Sequence, residues 1–126
     1  MFWGHADARL DARVCLAVAE RARLVFVGPR ADDVDPRLTT HPRIEWRGAV
    51  PYDELPRVAR EADVLVMPYA DLEATRAMQP LKLKEYLATG LPAVATPLPA
   101  NREWSDALDL ASDPREFAER VLARAK

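Results

Sequence analysis

Residues 64–97 of this chain read VLVMPYADLEATRAMQPLKLKEYLATGLPAVATP, and this stretch decides the fold. It opens and closes with short apolar runs, residues 64–67 and 93–95, and each run is followed closely by a proline. Residues 80–89 between them have the spacing of a helix, begin with proline and are followed by Gly90, the residue types favoured at the two ends of a helix. A buried strand, a helix and a second buried strand predict a right-handed crossover between parallel strands.

The same alternation extends outward from this unit in both directions. Two further β-rich apolar runs predict strands at Leu24–Val27 and Ile44–Trp46. Helical spacing of apolar residues predicts helices over residues 8–21, 53–61 and 114–125. We therefore expect an α/β fold with a doubly wound, Rossmann-like parallel sheet covered by helices on both faces.

Helix-capping residues precede two of these helices. Asp7 lies near the expected start of the first, and Ser112 or Asp113 can cap the last. Met1 to Trp3 make only part of a first strand. This suggests a domain that is cut from, or works beside, something larger.

Length and charge restrict the kind of protein. With 126 residues, 49% of them hydrophobic and 30% charged, the chain fits one globular domain spanning residues 1–126. The formal net charge is −2, and acidic and basic residues are interspersed, so we expect no nucleic-acid partner.

The cellular compartment is indicated by one cysteine and by the absence of long apolar runs. Cys15 is alone and cannot form a disulfide within the chain, which favours a reducing cytoplasm. No stretch approaches the ~20 apolar residues that span a bilayer, and no signal peptide begins the chain. The last helix carries basic residues that could touch an anionic membrane from the cytoplasmic side, although packing on the sheet is the favoured use; they are Arg115, Arg120, Arg124 and Lys126.

Ligands of open α/β sheets bind beyond the carboxyl ends of the strands. Gly4 follows the first strand and precedes a helix, so the backbone there can approach an anion closely. The loop around Val50 follows another strand and can face the edge of a nucleobase. Both segments are also common as plain turns, and neither contains a G-x-G-x-x-G or Walker-type motif.

Lys82 and Glu85 lie three residues apart in the first turns of the helix predicted over residues 80–89. An ammonium beside free helical N–H groups suits a diphosphate. A carboxylate one turn further in suits the two adjacent hydroxyls of a ribose. The pair therefore predicts a nucleotide-sugar site, whereas the alternative is a surface ion pair of ~0.2 to 0.5 kcal/mol.

Several of these segments, in this order, resemble the C-terminal, donor-binding half of GT-B glycosyltransferases, in the retaining family 4-like group. The most specific are EATR at 73–76, PLKLKEYLA at 80–88 and GLPAVAT at 90–96. Supporting segments are GHADARLD at 4–11, VGP at 27–29 and YDELP at 52–56. The resemblance covers essentially the whole chain and implies a Rossmann-like half of a transferase.

The resemblance assigns residues to parts of a nucleotide-sugar donor. Glu85 would hold the ribose, and the turn of Pro80, Leu81 and Lys82 would face the diphosphate. Gly4 would lie near the same phosphates, and Val50 near the base.

The transferred sugar would be bordered by residues 69–76, beginning with Tyr69. Many members have a glutamate eight residues before the ribose-binding one, and here that position is Ala77. Thr75 and Arg76 are candidate replacements for its contacts, although Arg76 could equally be a loop arginine lying over apolar surface.

The resemblance also implies a partner. The acceptor-binding domain that precedes this half in the family is absent from the chain, so we expect binding of a UDP- or GDP-linked sugar without transfer by this chain alone. No residue is assigned a catalytic role. The acceptor would be a polysaccharide, a lipid or another glycan, handled together with a second domain or subunit.

Two other functions remain open from the sequence. A nucleotide-sugar epimerase can share this two-domain fold, and a non-catalytic binding module is also compatible with a Rossmann-like domain. A receiver-like module is disfavoured because Asp63 precedes its strand.

We expect no metal and no cofactor. The D-x-D pattern of Asp33 and Asp35 lies in a loop beside proline rather than at a strand end.

Overall fold

The computed structural model describes residues 1–125, and its strands form one continuous parallel arrangement. The strands are β1 Phe2–Trp3, β2 Leu24–Val27, β3 Ile44–Trp46, β4 Leu65–Met67, β5 Ala93–Ala95 and β6 Asp109–Leu110. They pair in parallel as two three-stranded sheets, β1-β2-β3 and β4-β5-β6. The Met1 nitrogen donates to the Val64 carbonyl at 2.7 Å, and the Val66 N–H donates to the Met1 carbonyl at 2.9 Å. These bonds join β1 to β4, so the order is β3-β2-β1-β4-β5-β6, and the predicted doubly wound, Rossmann-like fold is confirmed.

Seven helices are present within residues 1–125. They are α1 Ala12–Ala19, α2 Pro36–Thr39, α3 Leu55–Ala59, α4 Glu73–Arg76, α5 Leu81–Ala88, α6 Pro99–Arg102 and α7 Pro114–Arg124. α5 and α7 agree with the predicted helices, and Asp113 caps α7 by accepting from the Glu116 N–H at 3.0 Å. The four-residue helices α2, α4 and α6 and the short strand β6 were not predicted.

The first helix begins later than predicted. Asp11, not Asp7, is its cap, accepting from the N–H groups of Arg13 and Val14. The preceding loop hydrogen-bonds instead to the segment after β4, where the Asp11 N–H donates to the Pro68 carbonyl at 2.8 Å. This long-range pairing holds residues 5–11 out of a helical conformation. The helix predicted over residues 53–61 is also shorter, because a 3₁₀ turn at Tyr52–Glu54 precedes α3.

The core lies on both faces of the sheet. Phe2, Leu65 and Val94 are fully buried in the strands, and Val14 of α1 and Phe117 of α7 are fully buried from the helices. α7 packs against α1 and β5 through its apolar stripe.

The basic residues of α7 are largely paired with carboxylates. Arg120 and Arg124 pair with Asp109, and Arg115 pairs with Glu119. Lys126, which the sequence placed in the same basic group, lies outside the described residues. Among residues 1–125, no helix combines the length and apolar character needed to cross a membrane.

Candidate functional site

Two glycines bring the ends of neighbouring strands together. Gly4 and Gly28 follow β1 and β2 and have φ values of 129° and 139°, a region that side chains disfavour. A Cβ on Gly28 would lie 2.1 Å from the Gly4 carbonyl oxygen, and a Cβ on Gly4 would lie 2.2 Å from the Nζ atom of Lys82. Gly28 has no room for a side chain, because the atoms it would meet belong to the backbone of Gly4, whereas a Cβ on Gly4 would have to displace the end of Lys82. The bare backbone of both glycines forms the floor of the site.

A cavity of about 250 Å³ opens above this floor at the carboxyl ends of β1 and β2. Four residues singled out by the sequence line it together: Gly4, Val50, Lys82 and Glu85. They come from three separate segments of the chain, and the first and last are 81 positions apart. The arrangement places one ammonium, one carboxylate and exposed loop backbone around a single space.

Lys82 is the unpaired cation of this cavity. Its Nζ donates to the Tyr69 hydroxyl at 2.6 Å and lies 4.2 Å from the centroid of the Phe2 ring. It forms no ion pair with any carboxylate of residues 1–125. Burial, reinforced by the nearby charge of Arg9, lowers the pKa of Lys82 to about 8. At pH 7 the side chain is therefore a partly desolvated cation, which is suited to an incoming anion.

Arg9 is a second cation near Lys82, outside the lining of this cavity, and the sequence analysis did not single it out. Its guanidinium lies 5.3 Å from the centroid of the Tyr69 ring, and its Nε donates to the Asp7 carboxylate at 2.9 Å. Arg9 belongs to the loop GHADARLD, which was recognised as a candidate anion segment. Its position in that loop carried no signal of its own, because loop side chains follow no period.

Glu85 lies one turn further along α5 than Lys82 and is partly buried. Its carboxylate lies near the hydroxyl of Tyr52 and raises the pKa of Tyr52. Tyr52 is 74% exposed and lies in the 3₁₀ turn at the rim of the cavity. Sequence reasoning missed Tyr52 as a neighbour of Glu85, because only the fold brings these two segments together.

A smaller cavity adjoins the first on the side of β4. Tyr69, Thr75, Pro80 and Lys82 line it, and Lys82 belongs to both cavities. The Thr75 hydroxyl is buried and donates to the Ala70 carbonyl at 2.5 Å. It therefore fastens the start of α4 to the loop before it.

Arg76 and Leu81 lie outside the linings of these two cavities. The Arg76 guanidinium pairs with the Asp71 carboxylate at 2.6 Å on the surface. Leu81 is 68% exposed at the start of α5.

An apolar groove of about 570 Å³ continues from the first cavity between α3 and α5. Trp3 forms part of both linings, and its indole nitrogen is buried without a hydrogen-bond partner in residues 1–125. Leu55, Ala59 and Ala88 supply apolar walls. The sequence analysis did not predict this groove.

Known proteins resemble this chain in sequence and in structure. The family model of glycosyl transferases group 1 matches residues 8–125. The Bacillus subtilis strain 168 protein named as the teichuronic acid biosynthesis glycosyltransferase TuaH is 37% identical over 105 residues, which are 79% of this chain and 26% of that protein.

Among solved structures, Anabaena HepE in complex with UDP and glucose superimposes with a TM-score of 0.67 at 17% identity. The match covers 97% of this chain and 38% of HepE. At this identity the likeness establishes the shared fold. The chain thus spans about a quarter of the curated relative and under half of the solved structure.

Proposed function

Because this chain belongs to the family of glycosyl transferases group 1, we propose that it binds the nucleoside diphosphate sugar that donates the sugar in a glycosyl transfer reaction. One observation carries the proposal: Lys82 and Glu85 line the same cavity at the carboxyl ends of the strands. An ammonium and a carboxylate on successive turns of one helix match a diphosphate and the ribose next to it.

Each part of the donor has a neighbour in this arrangement. The diphosphate would lie near Lys82, whose Nζ stands directly over the Gly4 backbone. The ribose hydroxyls would donate to Glu85, close to the Tyr52 hydroxyl. The base would lie against the loop at Val50. The sugar would lie along residues 69–76, outside the smaller cavity at Tyr69 and Pro80, whose volume of about 10 Å³ is too small to hold it.

The donor-binding half of a glycosyltransferase would stabilise the leaving group of the reaction, the nucleoside diphosphate. When the bond from the sugar to the diphosphate breaks, negative charge grows on the diphosphate, and a positioned cation in a partly dry cavity stabilises it. Lys82 is the residue that would supply this charge. The acceptor would come from a second domain or subunit, so this chain alone would bind the donor without transferring the sugar.

We propose the class of acceptor from a relative, and the cellular location from the single cysteine. TuaH is named for teichuronic acid biosynthesis, which supports a polysaccharide acceptor here. The lone, fully buried Cys15 supports a reducing cytoplasm. HepE was solved with UDP, which makes UDP the first nucleotide to test and GDP the second.

The proposal is tested by calorimetric titration of the chain with UDP, UDP-glucose and GDP. Glu85→Gln should weaken UDP binding by about ten- to a hundredfold, since it removes a charged hydrogen-bond acceptor. It should also remove most of the preference for UDP over 2′-deoxy-UDP. The control is Glu20→Gln, because Glu20 is exposed at the far end of α1. A wild-type chain that binds neither UDP nor GDP at millimolar concentration would refute the proposal.

A further inference from the structure

The Tyr69 side chain stands between the two cations of the site. The Arg9 guanidinium lies 5.3 Å and the Lys82 Nζ 5.2 Å from the centroid of its ring. The Tyr69 hydroxyl also accepts the 2.6 Å hydrogen bond from Lys82. One phenol therefore contacts both positive charges, through its ring and through its oxygen.

Tyr69 itself has little freedom to move. Its side chain is 1% exposed, and its ring packs edge to face on Phe2 with centroids 5.8 Å apart. Its carbonyl accepts a hydrogen bond from the Thr96 hydroxyl at 2.7 Å, and its backbone bridges to Leu10. Because the Tyr69 ring is held in place by its neighbours, it can hold the side chains that contact it in fixed positions.

Both cations keep donors available for a ligand. Lys82 has three N–H donors, of which Tyr69 uses one. The Arg9 guanidinium donates to Asp7 through Nε, and its two terminal amino groups make no hydrogen bond to any of residues 1–125. Asp7 and Tyr69 thus contact the guanidinium through Nε and its planar face, and its two terminal amino groups are left for a ligand.

We infer that Tyr69 is the positioning residue of the anion site, holding Lys82 and Arg9 so that both address one diphosphate. This inference rests on the proposed function. In the sequence analysis, Tyr69 bordered the transferred sugar. Here it acts on the diphosphate through the two cations, and Arg9 joins Lys82 as a ligand of that diphosphate.

The hydroxyl and the ring have separable effects. Burial raises the pKa of Tyr69 to about 12. The phenol therefore stays neutral and accepts a hydrogen bond from Lys82 at every pH of the titrations below. Removing the hydroxyl takes away a hydrogen-bond acceptor from a buried ammonium, so the pKa of Lys82 should fall. The charged groups that face Lys82 are Arg9 and Asp7 from the loop after β1 and Glu85 from α5.

The test compares wild type with Tyr69→Phe in calorimetric titrations with UDP between pH 7 and pH 10. UDP is fully ionised in this range, because phosphate has its second pKa near 6. Wild-type affinity should fall as pH rises through about 8, where free Lys82 loses its proton. Tyr69→Phe should bind UDP about tenfold more weakly at pH 8, and its affinity should begin to fall at lower pH. Tyr69→Leu, which also removes the ring under Arg9, should bind more weakly still.

Tyr86→Phe is the matched control. Tyr86 is also fully buried, and its hydroxyl donates to the Val66 carbonyl at 2.9 Å without contacting either cation. It should lower stability and leave the pH dependence of UDP binding unchanged. NMR titration of the Lys82 Nζ in wild type and Tyr69→Phe measures the expected fall in its pKa without ligand.

The outcomes separate the two proposals. If wild type binds UDP but Tyr69→Phe retains both its affinity and its pH dependence, the inference is overturned and the proposed function stands. The inference is equally overturned if Tyr86→Phe shifts the pH dependence as much as Tyr69→Phe does. If wild type binds neither UDP nor GDP, the proposed function fails and the inference fails with it.

Discussion

Replacing Lys82 by methionine should make this protein more stable and at the same time remove most of the proposed affinity for nucleoside diphosphates. Burial of the ammonium, with the charge of Arg9 nearby, lowers the pKa of Lys82 from 10.5 to about 8. A group whose charged form is disfavoured in the folded state costs stability wherever it is charged in both states. Methionine keeps the length and apolar stem of lysine but carries no charge.

The magnitude follows from the size of the shift. Each pKa unit corresponds to 1.36 kcal/mol, so the shift costs about 3 kcal/mol at pH 7. Methionine also loses the cation–π contact with Phe2 and leaves the buried Tyr69 hydroxyl without its Lys82 partner, which together offset about 2 kcal/mol of this gain. We therefore expect Lys82→Met to raise the free energy of unfolding by about 1 kcal/mol at pH 7.

The sign changes with pH in a defined way. Between about pH 8 and pH 10.5 the unfolded chain still holds the Lys82 proton that the folded chain has released. The free energy of unfolding of wild type therefore rises with pH through this window, while Lys82→Met has no such rise, so the difference between the two proteins shrinks. Burial raises the pKa of Cys15 and opposes this rise, but the thiol is common to both proteins and cancels in the difference.

Urea denaturation at pH 7, 8, 9 and 10, followed by circular dichroism, measures this difference, and titration with UDP measures the loss of binding. Lys84→Met is the control, because Lys84 is exposed two residues along α5, where surface changes usually stay within ±0.5 kcal/mol. A Lys82→Met variant that is less stable than wild type at pH 7 would refute the reasoning. A stability difference that stays constant from pH 7 to pH 10 would refute it as well.

Three further changes test the framework around the site. Gly28→Ala should destabilise the fold by roughly 2 kcal/mol or more, because the new Cβ would meet the Gly4 carbonyl. Thermal denaturation measures this loss. The control is Gly48→Ala, which should cost only about 1 kcal/mol, because Gly48 has φ of 75° but no atom within 4 Å of the new Cβ. Thr75→Val should cost about 1 to 2 kcal/mol in urea denaturation, and Thr75→Ser less, because the buried hydroxyl bonds the loop before α4. Asp11→Ala should cost about 1 kcal/mol by the same measurement, and no loss would contradict its role as the cap of α1.

The local sequence pattern was sufficient to predict the elements that have clear end residues or continuous apolar runs. α5 begins after Pro80 and ends before Gly90, and β4 and β5 coincide with the two apolar runs beside it. The start of α1 was missed because the prediction placed it near Asp7, whereas the cap is Asp11, whose N–H donates to the Pro68 carbonyl of a distant segment. The short helices were missed because four residues are too few to show a period.

Gly4 and Val50 were predicted from their places after strands, whereas the mutual position of two side chains was predictable where they share a helix. Lys82 and Glu85 lie on α5, so their spacing along the chain already placed them one turn apart. Arg9 and Tyr52 lie in irregular segments, and no period relates them to α5. Their places beside Tyr69 and Glu85 come from how distant strands pair.

The sequence by itself determined the alternation of strand and helix, the parallel crossovers and the chemistry of the turn at residues 80–85, because these depend on neighbours a few residues apart. Only the tertiary structure decided the strand order, the closeness of Gly4 to Lys82 and the burial that lowers the pKa of that lysine. Desolvation and contact between remote segments arise when the whole sheet assembles, and no local window of residues contains them.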